Sequence, residues 1–310
     1  MPSPTSSEPD AAVQVRGLVR SFGAVRAVAG LDLALYPGEI YGLVGPDGAG
    51  KTTTIRTIAG LLDPDAGTVR VLGLAPDDPR VRESVGLMPQ RYSLYGDLSV
   101  GENLRFFRRL FCLPRDVAEQ RIARLLALTR LAPFIDRRAD DLSGGMYKKL
   151  ALACALLHQP RVLLLDEPTN GVDPVSRREL WTLLGEFVGQ GMAVLVSTPT
   201  MDEAERCHRV GLLHAGRLIA EGEPSRLVRE LDSPVFLVRG GDRDRVQAVV
   251  EQAPEVLAAS PAGARLKVVL QPGGTDRLAE RLAPHGATLV PTRPDFEDLF
   301  LARLAAGGTA

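Results

Sequence analysis

Nine consecutive residues carry the most chemistry in this chain: Gly45, Pro46, Asp47, Gly48, Ala49, Gly50, Lys51, Thr52 and Thr53. They have the form GxxxxGK[ST]. Glycines reach backbone angles closed to other residues, so successive N–H groups can turn inward on an anion, and a helix N-terminus behind them adds partial positive charge. Lys51 then reaches the β- and γ-phosphates of a nucleotide, and the Thr52 hydroxyl takes a Mg²⁺ ion. The competing reading is a glycine turn that merely opens a helix. The flanks argue against it, because residues 39–44 (EIYGLV) form a short apolar strand-like run and residues 53–62 (TTIRTIAGLL) read as a helix.

A second reactive pair, Asp166 and Glu167, ends the apolar β-run 162–165 (VLLL). A buried strand that delivers two carboxylates at its tip suits a Mg²⁺ ligand followed by a water-polarising base. A strand ending in an acidic turn is common by itself; beside a phosphate loop that reading loses force. Just upstream, Leu142-Ser143-Gly144-Gly145-Met146 precedes a helical run over 147–157. Ser143 is placed as an N-cap, and two glycines let an anion approach the helix start. Alone, that segment is a weak signal.

These groups need a framework. Residues 13–38 show short apolar segments broken by glycine, VQVRGLV, AVRAVAG and LDLALYPG, which predict an antiparallel β-layer leading into the phosphate-loop strand. Strands are expected over 69–73 and 85–90, the latter (VGLMPQ) running into a polar turn at Gln90, and over 193–197 (AVLVS). Residues 98–141 have helical spacing. Arg105, Arg108 and Arg109 alternate there with Phe106, Phe107 and Phe111, which reads as an amphipathic helix with a solvated face rather than a nucleic-acid surface. Residues 170–174 read as a tight loop, 175–188 as a helix and 210–221 as a hairpin around Ala215-Gly216. Phe22, in Ser21-Phe22-Gly23, reads from periodicity alone as a core residue.

After about residue 231 the expected order is β-α-β-β-α-β, a small split-βαβ domain closed by a helix over 295–304, with no catalytic constellation. At 310 residues the chain holds one large domain and a smaller one. The net charge of −1 gives no global field for nucleic acid. Cys112, Cys154 and Cys207 lack metal or disulfide spacing, which points to a reducing compartment. Residues 1–12 have neither a basic region nor an apolar core and are expected to be a disordered tail. No apolar run approaches the roughly 20 residues that span a bilayer, so a membrane role needs a partner.

With these pieces in order, residues 13–228 resemble the ATP-binding subunits of ABC transporters. The resemblance implies an α/β fold: a P-loop NTPase with a RecA-like core, an antiparallel β-layer and a helical subdomain over about 98–141. The nucleotide-binding domain is then residues 13–230 and the small C-terminal α+β domain residues 231–310. It implies ATP and Mg²⁺ as cofactors. Residues Gly45 to Thr53 match the Walker A loop, Gln90 the Q-loop glutamine that meets Mg²⁺ and the attacking water, Asp166 the Walker B aspartate and Glu167 the catalytic glutamate. Ser143, Gly144 and Gly145 match the LSGGQ signature, with Met146 in place of glutamine, and Asp173 matches the D-loop aspartate. Phe22 falls where the family stacks a tyrosine on adenine, which overrides the core reading.

The runs LMPQRYSLYGDLSV, LSGGM and DEPTNGVDPVSRRELW, with the C-terminal PDFEDLFLARL, are similar to drug-exporter ATPases. That implies a subunit on the cytoplasmic face of the cell membrane. It would couple ATP-driven dimer closure to small-molecule efflux through separate permease subunits, without nucleic acid. The sequence departs from the family at the switch histidine, where Pro199 stands in Thr198-Pro199-Thr200. Proline has no N–H and no titratable group, so it cannot hold the γ-phosphate or the attacking water. Asp47 replaces the usual asparagine, and Tyr147 stands where a polar or basic residue is commoner. Weak turnover alone, and pairing with a different ATPase subunit, are the expectations that follow. The alternative is a nucleotide-gated partner that does not hydrolyse. A soluble ABC protein acting on ribosomes or DNA fits less well, because the chain has neither a second ATP domain nor a long coiled-coil insertion.

Overall fold

A computed structural model of the chain describes residues 10–91 and 94–307. The chain divides into two compact units between Leu218 and Ile219. The first opens with β1 (Val13–Phe22) and β2 (Val25–Leu35), an antiparallel pair. Sequence spacing suggested three short segments here. The structure has two long strands because Gly30, at φ +88°, sits at a bulge within β2, where the register steps from Leu31 opposite Leu18 to Ala29 opposite Val19. The glycine bends the strand instead of ending it.

Next come β3 (Ile40–Val44), α1 (Lys51–Ile58), β4 (Ala66–Val71), the single turn α2 (Pro79–Arg82) and β5 (Val85–Met88). The order β2-β1-β4 makes the antiparallel layer. The expected helical stretch resolves into α3 (Val100–Leu110) and α4 (Arg115–Thr129), followed by two short 3₁₀ turns. Ser99 starts α3 with a capping box: its hydroxyl accepts from Glu102 N, and the Glu102 carboxylate accepts from Ser99 N.

Then follow α5 (Gly144–Leu156), β6 (Val162–Asp166), α6 (Pro174–Val188), β7 (Ala193–Thr198), α7 (Met201–Ala204), β8 (Arg209–His214) and β9 (Arg217–Gly222). The second sheet runs β5-β6-β7-β3-β8-β9, and the neighbours from β5 to β8 are parallel. Its inner strands are buried along their whole length, as near-continuous apolar runs require. Leu18, Leu31 and Leu35 of the antiparallel layer share one core with Ile55 and Ile58 of α1 and with Leu43, Leu164 and Leu195 of the parallel sheet. Parallel order carries the C-terminal ends of β3, β5, β6 and β7 to one edge, where such sheets bind ligands.

The second unit holds α8 (Pro224–Arg229), β10 (Val235–Gly240), α9 (Arg243–Gln252), β11 (Val256–Ala262), β12 (Arg265–Leu270), α10 (Thr275–Leu282), β13 (Ala287–Pro291) and α11 (Phe296–Gly307). The sheet order β11-β12-β10-β13 is antiparallel throughout, the split-βαβ arrangement. Consecutive residues of β12 point to opposite faces: Val268 packs with Val246 and Leu278 of the two crossover helices, and Val269 with Ala302 of α11. The division falls within β9 rather than after residue 230, and α8, beyond it, packs on α11. The expected tail over 1–12 lies outside the described residues up to residue 9. Its end is ordered: Ala12 is buried and its carbonyl accepts from Leu72 N at 2.8 Å.

Candidate functional site

The sheet edge brings eight of the predicted residues, Asp47, Gly48, Gly50, Lys51, Thr52, Thr53, Gln90 and Glu167, into the wall of one pocket of about 670 Å³, with Pro199 among the other walls. Strand β3 ends at Val44 and the loop turns at once into α1, which starts at Lys51, two residues earlier than the sequence suggested. The turn is possible only with glycine at two places. A Cβ on Gly45 would lie 2.1 Å from the Leu213 carbonyl oxygen, and one on Gly50, at φ +108°, 2.3 Å from that of Ala27.

Lys51 is 4% exposed, and its Nζ donates to the carbonyls of Gly45 at 2.8 Å and Pro46 at 3.0 Å. The same ammonium stands 3.6 Å from Glu167 Oε1 and 3.9 Å from Asp47 Oδ1. A buried cation on borrowed carbonyls, above a glycine-lined loop, fits a polyphosphate. The Asp47 carboxylate projects into solvent, so its charge meets the pocket only from the rim.

Thr52 Oγ1 donates to Asp166 Oδ1 at 3.1 Å, and Ser197 Oγ donates to the same oxygen at 2.7 Å. Two hard oxygens, a hydroxyl and a carboxylate, fit Mg²⁺, which dehydrates reluctantly and takes one or two protein ligands beside phosphate and water. Among the described residues no cluster of three His, Cys, Asp or Glu could form an all-protein cage. Gln90 Nε2 donates to Glu167 Oε2 at 2.6 Å, and Asn170 Nδ2 donates to it at 3.1 Å. Glu167 is 4% exposed with a backbone φ of +50°, a region costly for a residue with a Cβ; its N–H is held by the Ser197 hydroxyl at 3.0 Å.

Three groups in this network escaped the sequence reading. Ser197 was legible only as the last residue of an apolar strand, and Asn170 only as part of a loop. Lys148 gave no signal, being one basic residue on a helix. Its Nζ donates to the Gln90 carbonyl at 3.2 Å and to the Glu167 carbonyl at 3.5 Å. Burial pushes its pKa below the ordinary lysine value, against the pull of Asp166 and Glu167.

Pro199 stands in the pocket wall because Val44 pairs with Thr198 and Gly45 N donates to the Thr198 carbonyl at 3.2 Å, which sets the next residue beside the phosphate loop. Thr198 turns its hydroxyl away, onto buried Glu203 at 2.7 Å. Neither downstream histidine replaces the missing one. His208 Nδ1 accepts from Ile40 N at 3.0 Å, at the opposite end of β3 from the phosphate loop, and His214 is exposed at the end of β8.

Phe22 is no core residue. It is 47% exposed at the end of β1, stacked under the Arg20 guanidinium at 5.1 Å and paired in register with Val25, itself a wall of the pocket. Ser143, Gly144 and Gly145 are not among the pocket walls. Ser143 caps α5, accepting from Met146 N at 3.3 Å, and it and Gly144 are exposed. Gly145 is buried; a Cβ there would lie 2.4 Å from Ser176 Oγ at the start of α6. Asp173 caps that helix, and the Ser176 and Val175 amides it accepts hold its carboxyl below the usual range.

A family model described as ABC transporter matches residues 28–170. The probable multidrug ABC transporter ATP-binding protein YbhF of Escherichia coli (strain K12) is 41% identical over 309 residues, 97% of this chain; the chain spans 53% of that relative's length. The Nod factor export ATP-binding protein I of Paraburkholderia xenovorans (strain LB400) is 41% identical over 275 residues, 84% of this chain and 90% of that protein. Among solved structures, an ATP-binding subunit of an ABC transporter superposes with a TM-score of 0.65 at 30% identity, over 71% of this chain and 92% of that one. A dimeric cassette, MJ0796, in a post-hydrolysis state with ADP and Pi, shares the fold at 24% identity, with a TM-score of 0.62 over 68% of this chain and 98% of that one.

Proposed function

Because the chain belongs to the ATP-binding subunits of ABC transporters, we propose that it binds Mg–ATP in this pocket and, closed against a second ATPase subunit, powers export of a small molecule through separate membrane permease subunits. The observation that carries the reading is the wiring of Glu167: one carboxylate held by Gln90 and Asn170, facing Lys51, at the mouth of a glycine-lined loop. The export direction is supported by relatives named for multidrug and Nod factor export. Among the described residues no helix is long and apolar enough to cross a membrane; a peripheral place on the cytoplasmic face is what the resemblance to exporter ATPases implies.

Lys51 and the loop amides bind the β- and γ-phosphates, and Phe22 and Val25 offer an apolar platform for adenine. Thr52, Asp166 and Gln90 would hold a Mg²⁺ ion, which would supply positive charge against the phosphate oxygens. Glu167 takes a proton from the attacking water, which the Gln90 carboxamide orients. Gly48, Ala49 and Gly50 supply backbone N–H groups. The exposed Ser143 and Gly144, with Gly145 behind them, cap the γ-phosphate of a nucleotide held by the partner, the role that their match to the LSGGQ signature implies.

Pro199 supports an asymmetric pair, in which this chain's own site turns over slowly while its signature serves a complete site on a different subunit. The second reading, a nucleotide-gated partner without hydrolysis, rests on the same residue. Measuring Mg–ATP affinity and ATPase of the isolated chain separates the two. Binding that falls about 100-fold or more in Lys51→Ala, with slow but Glu167-dependent turnover, is expected for the first. Affinity untouched by Lys51→Ala sinks both; vigorous turnover of the isolated chain sinks the asymmetric pair.

A further inference from the structure

Lys148 lies one helical turn beyond Gly144, on the same face of α5, so the exposed start of the signature helix and this ammonium are joined by a rigid turn. From Lys149 to Leu156 the helix is buried in close packing, which resists bending. The ammonium lies across two loops, donating to the carbonyl after β5 and to the carbonyl after β6. Those are the loops whose side chains, Gln90 and Glu167, meet at 2.6 Å. The second carbonyl belongs to the left-handed Glu167 peptide, gripped on its N–H side by Ser197 and on its carbonyl side by Lys148. A strained peptide keeps its conformation only while its surroundings over-determine it, so removing one grip frees a second arrangement.

We propose that Lys148 is a positioning residue that couples this chain's phosphate pocket to the start of its own signature helix. Filling the pocket sets Gln90 and Glu167, Lys148 follows their carbonyls, and the residues that a partner's nucleotide meets, Ser143 and Gly144, are set in turn. Coupling between binding sites is reciprocal, so a partner's nucleotide on the signature biases Gln90 and Glu167 by the same free energy. The inference rests on nucleotide binding in the pocket and on the signature facing a partner; it does not depend on whether the chain pairs with itself.

The test is amide hydrogen exchange of the full chain with and without Mg–AMPPNP, together with its affinity, in the wild type, Lys148→Met and Lys148→Arg. In the wild type, ligand slows exchange both around residues 88–91 and 166–170 and at residues 143–148. In Lys148→Met the affinity stays within about twofold, while the effect at 143–148 falls by about fivefold or more, the low end of measured couplings. Lys148→Arg, which keeps a charged donor, restores it. No binding of Mg–AMPPNP to the wild type overturns the nucleotide reading and the coupling with it. Binding without a change at 143–148, or an equal change in Lys148→Met, overturns the coupling alone. Should Lys148→Met not fold, Lys148→Gln replaces it under the same criteria.

Discussion

Strands β6 and β7 are neighbours, parallel, in register and buried along their lengths, and both end at the phosphate pocket. Their tips differ completely. The tip of β6 delivers two carboxylates with dense wiring: Asp166 takes two partners, Thr52 and Ser197, and Glu167 takes three, Gln90, Asn170 and the Lys51 charge. The tip of β7 spends its polar groups on support. Ser197 serves Asp166 and the Glu167 amide, Thr198 turns to Glu203, and the residue left facing the pocket is Pro199. Two strands with the same burial and register thus divide the work into chemistry and scaffold. The lesson is that the frame around a pocket can be intact at a position whose side chain has nothing to donate or to titrate, since burial constrains the strand and not the residue at its tip.

This contrast can be broken at either tip. If β6 carries the reaction, Glu167→Gln lowers single-turnover ATP hydrolysis by about 10²- to 10⁴-fold while Mg–ATP affinity is retained, the range for loss of a general base. Retained turnover would move the base elsewhere. If β7 lacks only one donor, Pro199→His raises turnover of the isolated chain by about 10²- to 10³-fold, the value of one transition-state hydrogen bond, without changing affinity. No gain would mean that the Thr198–Glu203 arrangement also holds the loop out of position.

The supporting role of β7 is probed by Ser197→Ala, which leaves Asp166 Oδ1 and the Glu167 amide each short of a buried partner. About 1–3 kcal/mol of stability should be lost in denaturant unfolding, with turnover falling by roughly tenfold as the Glu167 peptide loosens. The smallest effect sharpens the comparison with the signature. Gly145→Ala places a methyl group against Ser176, so α5 and α6 must part, at about 1–3 kcal/mol. Affinity of the chain's own pocket should stay unchanged by equilibrium binding, because Gly145 is not among its walls.

How much of this was legible varied with the kind of residue. The phosphate loop, the Asp166-Glu167 pair and the β-α-β-β-α-β order of the second unit were read directly, because each is a local pattern of glycine, charge or periodicity. The three segments read in residues 13–38 turned out to be two strands, since sequence alone does not distinguish a glycine that ends a strand from one that bulges it. Phe22 showed the limit of periodicity: its pattern reads as core, and its place at the end of a strand beside the pocket leaves it half exposed. Gly145 carries a second meaning that no motif displays, the close approach of α6.

The sequence by itself determined which residues could grip a triphosphate and an ion, and that Pro199 cannot do what a histidine does, because these are properties of side-chain chemistry and of backbone freedom. Only the tertiary structure decided that Ser197, Asn170 and Lys148 belong to the same network. They come from a strand, a loop and a helix that are distant in sequence, and hydrogen bonds reach about 3 Å. Parallel pairing of β3, β5, β6 and β7 brings their ends to one edge, and that geometry, more than any motif, turns separate residues into a site.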